Sequence, residues 1–176
     1  MRRTEIKDLL AQQPIGEKIL VKGWVRAFRS NRFIQLNDGS SFNSLQCVVD
    51  FEQFEEELLK KISYHSCIAV TGELVASQGR GQSVEVVAES IEILGTNNPD
   101  DYSLQPKRMT MEYLRDKAHF RMRTNTFSAV FRIRHAIAFA INQFFHDRGY
   151  YYLHTPIITG NDAEGAGEMF RVTTLG

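Results

Sequence analysis

From Lys18 to Leu94 apolar residues alternate with polar ones in short runs, the period of strands that bury one face. The runs predict five strands, at about 18–28, 32–38, 43–50, 66–76 and 83–94. Between the third and fourth, Phe51, Phe54, Leu58 and Ile62 recur at helical spacing among Glu52, Glu55, Glu56 and Glu57, whose charge suits the start of a helix. From Thr110 onward the period turns helical. Phe127, Val130, Phe131, Ile137, Ala138, Ile141, Phe144 and Phe145 predict one long helix, with Thr124 or Asn125 to cap it and Gly149 to stop it. Ile133, Ala136, Phe139 and Ala140 widen its apolar stripe beyond what one surface helix needs, which points to a contact with a second copy. The turn formers from Gly95 to Asp101 separate the two patterns. They divide the chain into a β domain over 1–97, a connector over 98–124 and the start of a second domain over 125–176.

Five short strands with a helix in that gap describe a mainly β plus α chain headed by a five-stranded OB-fold barrel, a Greek-key design that commonly binds oligonucleotides across one face. Regular alternation sends Ile19, Val21, Val25 and Ala27, then Ile34 and Leu36, then Leu45, Cys47 and Val49 inward. It leaves Lys22, Trp24, Arg26, Phe28, Phe33, Gln35, Asn37, Ser44, Gln46 and Val48 outside. Rings among guanidinium groups and amides suit single-stranded nucleic acid, because a splayed base stacks on a ring while Arg neutralises phosphate and Gln meets a base edge. The same residues admit a second reading, in which Trp24 and Phe28 are core residues displaced in the alternation by a bulge and Lys22, Arg26, Arg29 and Arg32 form a solvated edge. Gly79-Arg80-Gly81 lies between two strand patterns and reads as a hairpin tip, not as a phosphate loop opening a helix.

Charge narrows the partners. Twenty-one basic side chains balance twenty-one acidic ones over 176 residues, so nucleic-acid binding must come from a local patch. No acidic residue falls between Lys22 and Asn37, and charge also divides at the boundary, where residues 107–148 hold nine basic groups against Glu112, Asp116 and Asp147. No apolar run is long enough to span a bilayer and the first residues do not resemble a signal peptide, so the expected compartment is the cytoplasm, with no membrane partner. Cys47 and Cys67 sit in apolar runs and read as free buried thiols. His119, His135, His146 and His154 lack metal-ligand spacing, and no metal site is expected.

Lys22-Gly23-Trp24-Val25-Arg26, Tyr113-Leu114-Arg115, His119-Phe120-Arg121 and the run from Arg148-Gly149-Tyr150 to Thr155-Pro156-Ile157 resemble the class IIb aminoacyl-tRNA synthetases. The last run is similar to their motif 1, a long helix followed by a strand with a fixed proline. The resemblance therefore implies a homodimer interface containing Gly149 and Pro156. Within that subclass, Glu164-Gly165-Ala166-Gly167-Glu168-Met169-Phe170 resembles the asparaginyl branch. The resemblance implies an OB-fold anticodon-binding domain, a hinge, and the first helix and strand of a class II catalytic domain. The implied partner is tRNA(Asn), and the complete enzyme would use asparagine, ATP and Mg2+. Carried over position by position, Phe33 stacks on an anticodon base, Gln46 reads the central uridine, Arg29 and Glu85 touch the anticodon, and Glu164 holds the substrate ammonium. Arg26 joins this set from the outward face. The arginine-bearing motifs 2 and 3 do not occur up to Gly176, so these residues are expected to bind no cofactor and to be catalytically silent alone. A free-standing RNA-binding module without catalysis and a relaxed aspartyl ligase are the alternatives.

Overall fold

Strand pairing follows the alternation. The computed structural model describes residues 1–79, 81–158, 160, 170, 173 and 174. The five strands are β1 (Lys18–Arg29), β2 (Phe33–Asn37), β3 (Leu45–Val48), β4 (Cys67–Ala76) and β5 (Val84–Gly95). They close into a barrel in the order β1-β2-β3-β5-β4, with β3 and β5 the parallel pair. Closure demands a long, coiled first strand: β1 pairs with β4 from Lys18 to Trp24 and with β2 from Trp24 to Arg29. Two glycines permit the close approaches. A Cβ on Gly23 would lie 2.7 Å from the Asn37 carbonyl oxygen, where β1 changes partner, and one on Gly72 would lie 1.9 Å from that of Val87.

The inward set fills the barrel. Val21, Val25, Ile34, Leu36, Leu45, Cys47 and Val49 are fully buried, together with Ile68, Val70, Leu74, Val84 and Val86 of the later strands. Alternation breaks once. The β1–β2 register slips between Val25 and Ala27, so Arg26 is an extra residue, and beyond it Ala27 pairs with Gln35 while Phe28 pairs with Ile34. Ala27, expected inside, therefore takes the outer face, and Phe28, expected outside, packs against the core. Trp24 precedes the bulge and stays outside.

Two helices complete the first core. One, α1 (Ile6–Gln12), was not foreseen, although Ile6, Leu9 and Leu10 have helical spacing; Ile6 and Leu9 enter the barrel core. Its first amide is capped from the far end of β2, where Asp38 Oδ2 accepts from Ile6 N at 3.0 Å. The other, α2 (Glu56–Lys60), is shorter than the Phe51–Ile62 pattern predicts. Asp50 explains the late start: its backbone and carboxylate accept from Gln53 N, Glu52 N and Gln53 Nε2, closing a local turn that competes with the helix.

Met1–Phe131 form one compact unit and Arg132–Gly176 a second. The residues read as a connector lie in the first. There Leu104, Leu114 of α3 (Met111–Asp116) and Phe127 build a second small core with Tyr102, Met109, Phe120 and Phe131. Phe127 belongs to α4 (Asn125–His146), the long helix foreseen; Thr124 Oγ1 accepts from Phe127 N at 3.4 Å, and Gly149 follows the helix at φ +82. In the second unit Ile133, Ile137, Phe139, Ile141, Phe144 and Phe145 all remain about half exposed or more. The strand expected through Pro156 is not formed: residues 151–158 join no sheet among the described residues, and a strand requires a neighbour to take its backbone hydrogen bonds. No helix among the described residues is long and apolar enough to cross a membrane.

Candidate nucleic-acid interface

The outer face of β1, β2, β3 and β5 carries two adjacent rows. In the first, Ala27 stands opposite Gln35, Gln35 opposite Gln46, and Gln46 opposite Glu85. In the second, Arg29 stands opposite Phe33 and Phe33 opposite Val48. Directly paired residues share a face, so one surface presents a ring, two amides, a carboxylate and a guanidinium. Phe33, Gln46 and Glu85 are each half-buried, and Arg29 is exposed.

Local backbone aims the cations. Ser30 and Asn31 both have positive φ (53 and 50), and Arg32 N donates to Arg29 O at 3.0 Å. The turn at Ser30 and Asn31 lies within a three-residue connection, Ser30 to Arg32, between the paired Arg29 and Phe33. It sets Arg29 and Arg32 on either side of the turn, and the Arg32 guanidinium lies 5.6 Å from the Phe33 ring centroid.

The amides are linked into a ladder. Gln35 Nε2 donates to Gln46 Oε1 at 2.9 Å, and Gln46 Nε2 donates to Glu85 Oε2 at 2.9 Å. The same carboxylate oxygen accepts from Ser77 Oγ at 2.9 Å and from Gln82 Nε2 at 3.0 Å. Alternation placed Gln35 on the face. Ser77 and Gln82 had no signal beyond turn composition, since only the folded β4–β5 hairpin brings them to Glu85. Arg80 at that hairpin lies outside the described residues.

Upstream of the bulge the face is occupied by the protein itself. The Arg26 guanidinium donates from Nη1 to Arg123 O and from Nη2 to Asn125 Oδ1, the latter at 2.9 Å. Arg123 in turn lies 4.8 Å over the Trp24 ring and donates to Tyr102 Oη at 3.1 Å. Bulging Arg26 out of the ladder frees it to reach the start of α4. Beside it His65 is 5% exposed, with the Tyr64 ring at 3.9 Å and the Tyr102 ring at 4.4 Å. Neither imidazole nitrogen has a hydrogen-bond partner among the described residues. Burial, reinforced by the charges of Arg26 and Arg123, holds the imidazole down at about 4. Sequence reasoning did not single out His65; its role emerges only from packing.

The other expected site residues are dispersed. Glu164 lies outside the described residues. Gly149 ends α4, and Pro156 is exposed in the second unit. Cys47 and Cys67 are free thiols; Cys47 is buried as expected, which pushes it up to about 12, whereas Cys67 is only half-buried. Among the described residues no three His, Cys, Asp or Glu side chains converge as a metal site.

Comparison with known proteins gives two family matches. Residues 19–94 match the OB-fold nucleic acid binding domain, and residues 110–175 match the class II tRNA synthetases (D, K and N). The asparagine–tRNA ligase of Phocaeicola vulgatus is 57% identical over 175 residues, which is 98% of this chain and 37% of that protein. That of Cytophaga hutchinsonii is 51% identical over 180 residues, 99% of this chain and 39% of that protein. The chain thus spans under two fifths of the length of these relatives. Among solved structures, asparaginyl-tRNA synthetase from Pyrococcus horikoshii complexed with asparaginyl-adenylate superimposes with a TM-score of 0.81 at 21% identity, over 99% of this chain and 41% of that one.

Proposed function

We propose that the chain belongs with the class II tRNA synthetases of the D, K and N group, and that its barrel reads the anticodon of tRNA(Asn) on behalf of an asparagine–tRNA ligase. One observation carries this reading: Phe33 and Gln46 stand on neighbouring strands of the outer barrel face, half exposed, with Arg29 at its edge. An unpaired base can stack on the Phe33 ring while its edge meets the Gln46 amide and Arg29 neutralises the adjoining phosphate. Glu85 completes the polar row. Arg26, expected among the anticodon contacts, has its terminal nitrogens engaged at the start of α4 and is left out of the proposed contact set.

In the complete ligase, asparagine attacks the α-phosphorus of ATP through its carboxylate, pyrophosphate leaves, and the activated acyl group passes to the terminal ribose of the tRNA. Glu164 is the residue of this chain assigned to that chemistry, holding the α-ammonium by a charge-assisted hydrogen bond. ATP and Mg2+ act through motifs that residues 1–176 do not carry. The apolar stripe of α4, exposed at Ile133, Ile137 and Phe144, supports a homodimer that buries it, and the cytoplasm is the compartment where such a ligase meets its tRNA.

The test is binding of this chain to anticodon stem–loop RNAs altered at each anticodon base. A preference for the asparagine anticodon that vanishes in Phe33→Ala supports the reading, and equal binding of all variants refutes it. Asparagine-dependent pyrophosphate exchange is expected from the complete protein and not from residues 1–176.

A further inference from the structure

We infer that Glu85 acts as a positioning residue that lets Gln46 discriminate between uracil and cytosine, by fixing which end of the Gln46 amide faces β5. The inference rests on the proposed anticodon reading and deepens it. A primary amide has an acceptor at one end and donors at the other, and the two orientations have nearly the same shape. A lone glutamine on a strand could adopt either. An ionised carboxylate removes the choice, because it accepts at both oxygens and donates nothing. Glu85 Oε2 takes donors from three sides, Gln46 Nε2, Ser77 Oγ and Gln82 Nε2. With Nε2 of Gln46 drawn to β5, its Oε1 must face β2, where Gln35 supplies the matching donor. The polarity of the ladder thus runs one way across three strands and is set at its Glu85 end.

This orientation matters for pyrimidines. Uracil presents an acceptor, O4, beside a donor, N3–H; cytosine presents a donor, the N4 amino group, beside an acceptor, N3. Gln46 retains one further N–H and one further lone pair beyond those used in the ladder. A base whose plane is set by stacking on Phe33, in the adjoining row, meets that pair in a fixed order. One pyrimidine then forms both hydrogen bonds, and the other sets donor against donor and acceptor against acceptor. Reversing the amide would exchange the two.

The variant that isolates this effect is Glu85→Gln, which keeps the shape but can donate or accept, so that both polarities of the ladder become available. The 176-residue chain would be titrated with anticodon stem–loop RNAs carrying U or C at the central position. A bidentate contact implies a U preference of roughly 5- to 100-fold for the unaltered chain. Glu85→Gln is expected to reduce that ratio to within about 3-fold, mainly by tighter binding of the C-containing RNA. Gln35→Leu, which leaves Glu85 in place, is expected to retain most of the preference, so a fold-wide disturbance would be recognised by its affecting both variants alike. An unchanged ratio in Glu85→Gln overturns the inference, as does a loss confined to discrimination at a neighbouring anticodon base, which would mark Glu85 as a direct contact. Absence of any U preference in the unaltered chain overturns the anticodon reading itself.

Discussion

Acid should loosen the junction of barrel and connector through one imidazole. His65 is closed off between the Tyr64 and Tyr102 rings, faces the charges of Arg26 and Arg123, and has no partner on either nitrogen among the described residues. The unfolded imidazole takes up its proton near pH 6.5, whereas the folded one does so only at about 4. Between those values the unfolded chain holds one more proton, so folding stability falls as pH drops below 6.5 and its loss is complete near pH 4. A displacement of that size corresponds to about 3 kcal/mol, a large share of the stability of a small domain. Urea unfolding of the wild type and of His65→Asn between pH 7.5 and pH 4.5, on a grid of about half a unit, would isolate it. Asparagine tolerates the positive φ of 68 at this position and does not titrate in that range. The wild type should lose roughly 2 to 3 kcal/mol more than the variant over that span, with the difference accumulating below pH 6.5. Parallel curves, or an imidazole NMR signal that titrates near 6.5 in the folded chain, would refute the reasoning.

Gln46→Ala should weaken cognate RNA by roughly 1 to 3 kcal/mol with the salt dependence nearly unchanged, while Arg29→Ala should flatten the salt dependence, both read by titration at several ionic strengths. Arg26→Met should cost about 1.5 to 3 kcal/mol in thermal unfolding, since it removes two hydrogen bonds from a charged donor, and should leave the RNA salt slope intact; a reduced slope would place Arg26 on phosphate instead. The same substitution removes one charge facing His65 and should raise the pH at which it titrates. Gly72→Ala should destabilise the barrel by at least about 3 kcal/mol in the same melts, because its Cβ would sit 1.9 Å from a backbone oxygen; a near-neutral variant would show that β5 can shift away.

Alternation alone identified all five strands, most of the barrel interior and the outward positions of Phe33, Gln35 and Gln46, because a side-chain period of two leaves little freedom once one face is buried. Helical spacing and Gly149 located α4 within a residue or two of its ends. The single residue added to β1 at Arg26 has no mark in composition, since a bulge arises from how β1 is shared between two partner strands, and it reversed Ala27 and Phe28. Pairings between residues far apart in the chain were equally invisible: Arg26 with Asn125, Asp38 with Ile6, and Glu85 with Gln46. Residue types and their local period settled which way most strand side chains point, whereas barrel closure settled the exceptions at the bulge and which side chains meet, because hydrogen bonds and desolvation depend on distances that only the assembled sheet defines.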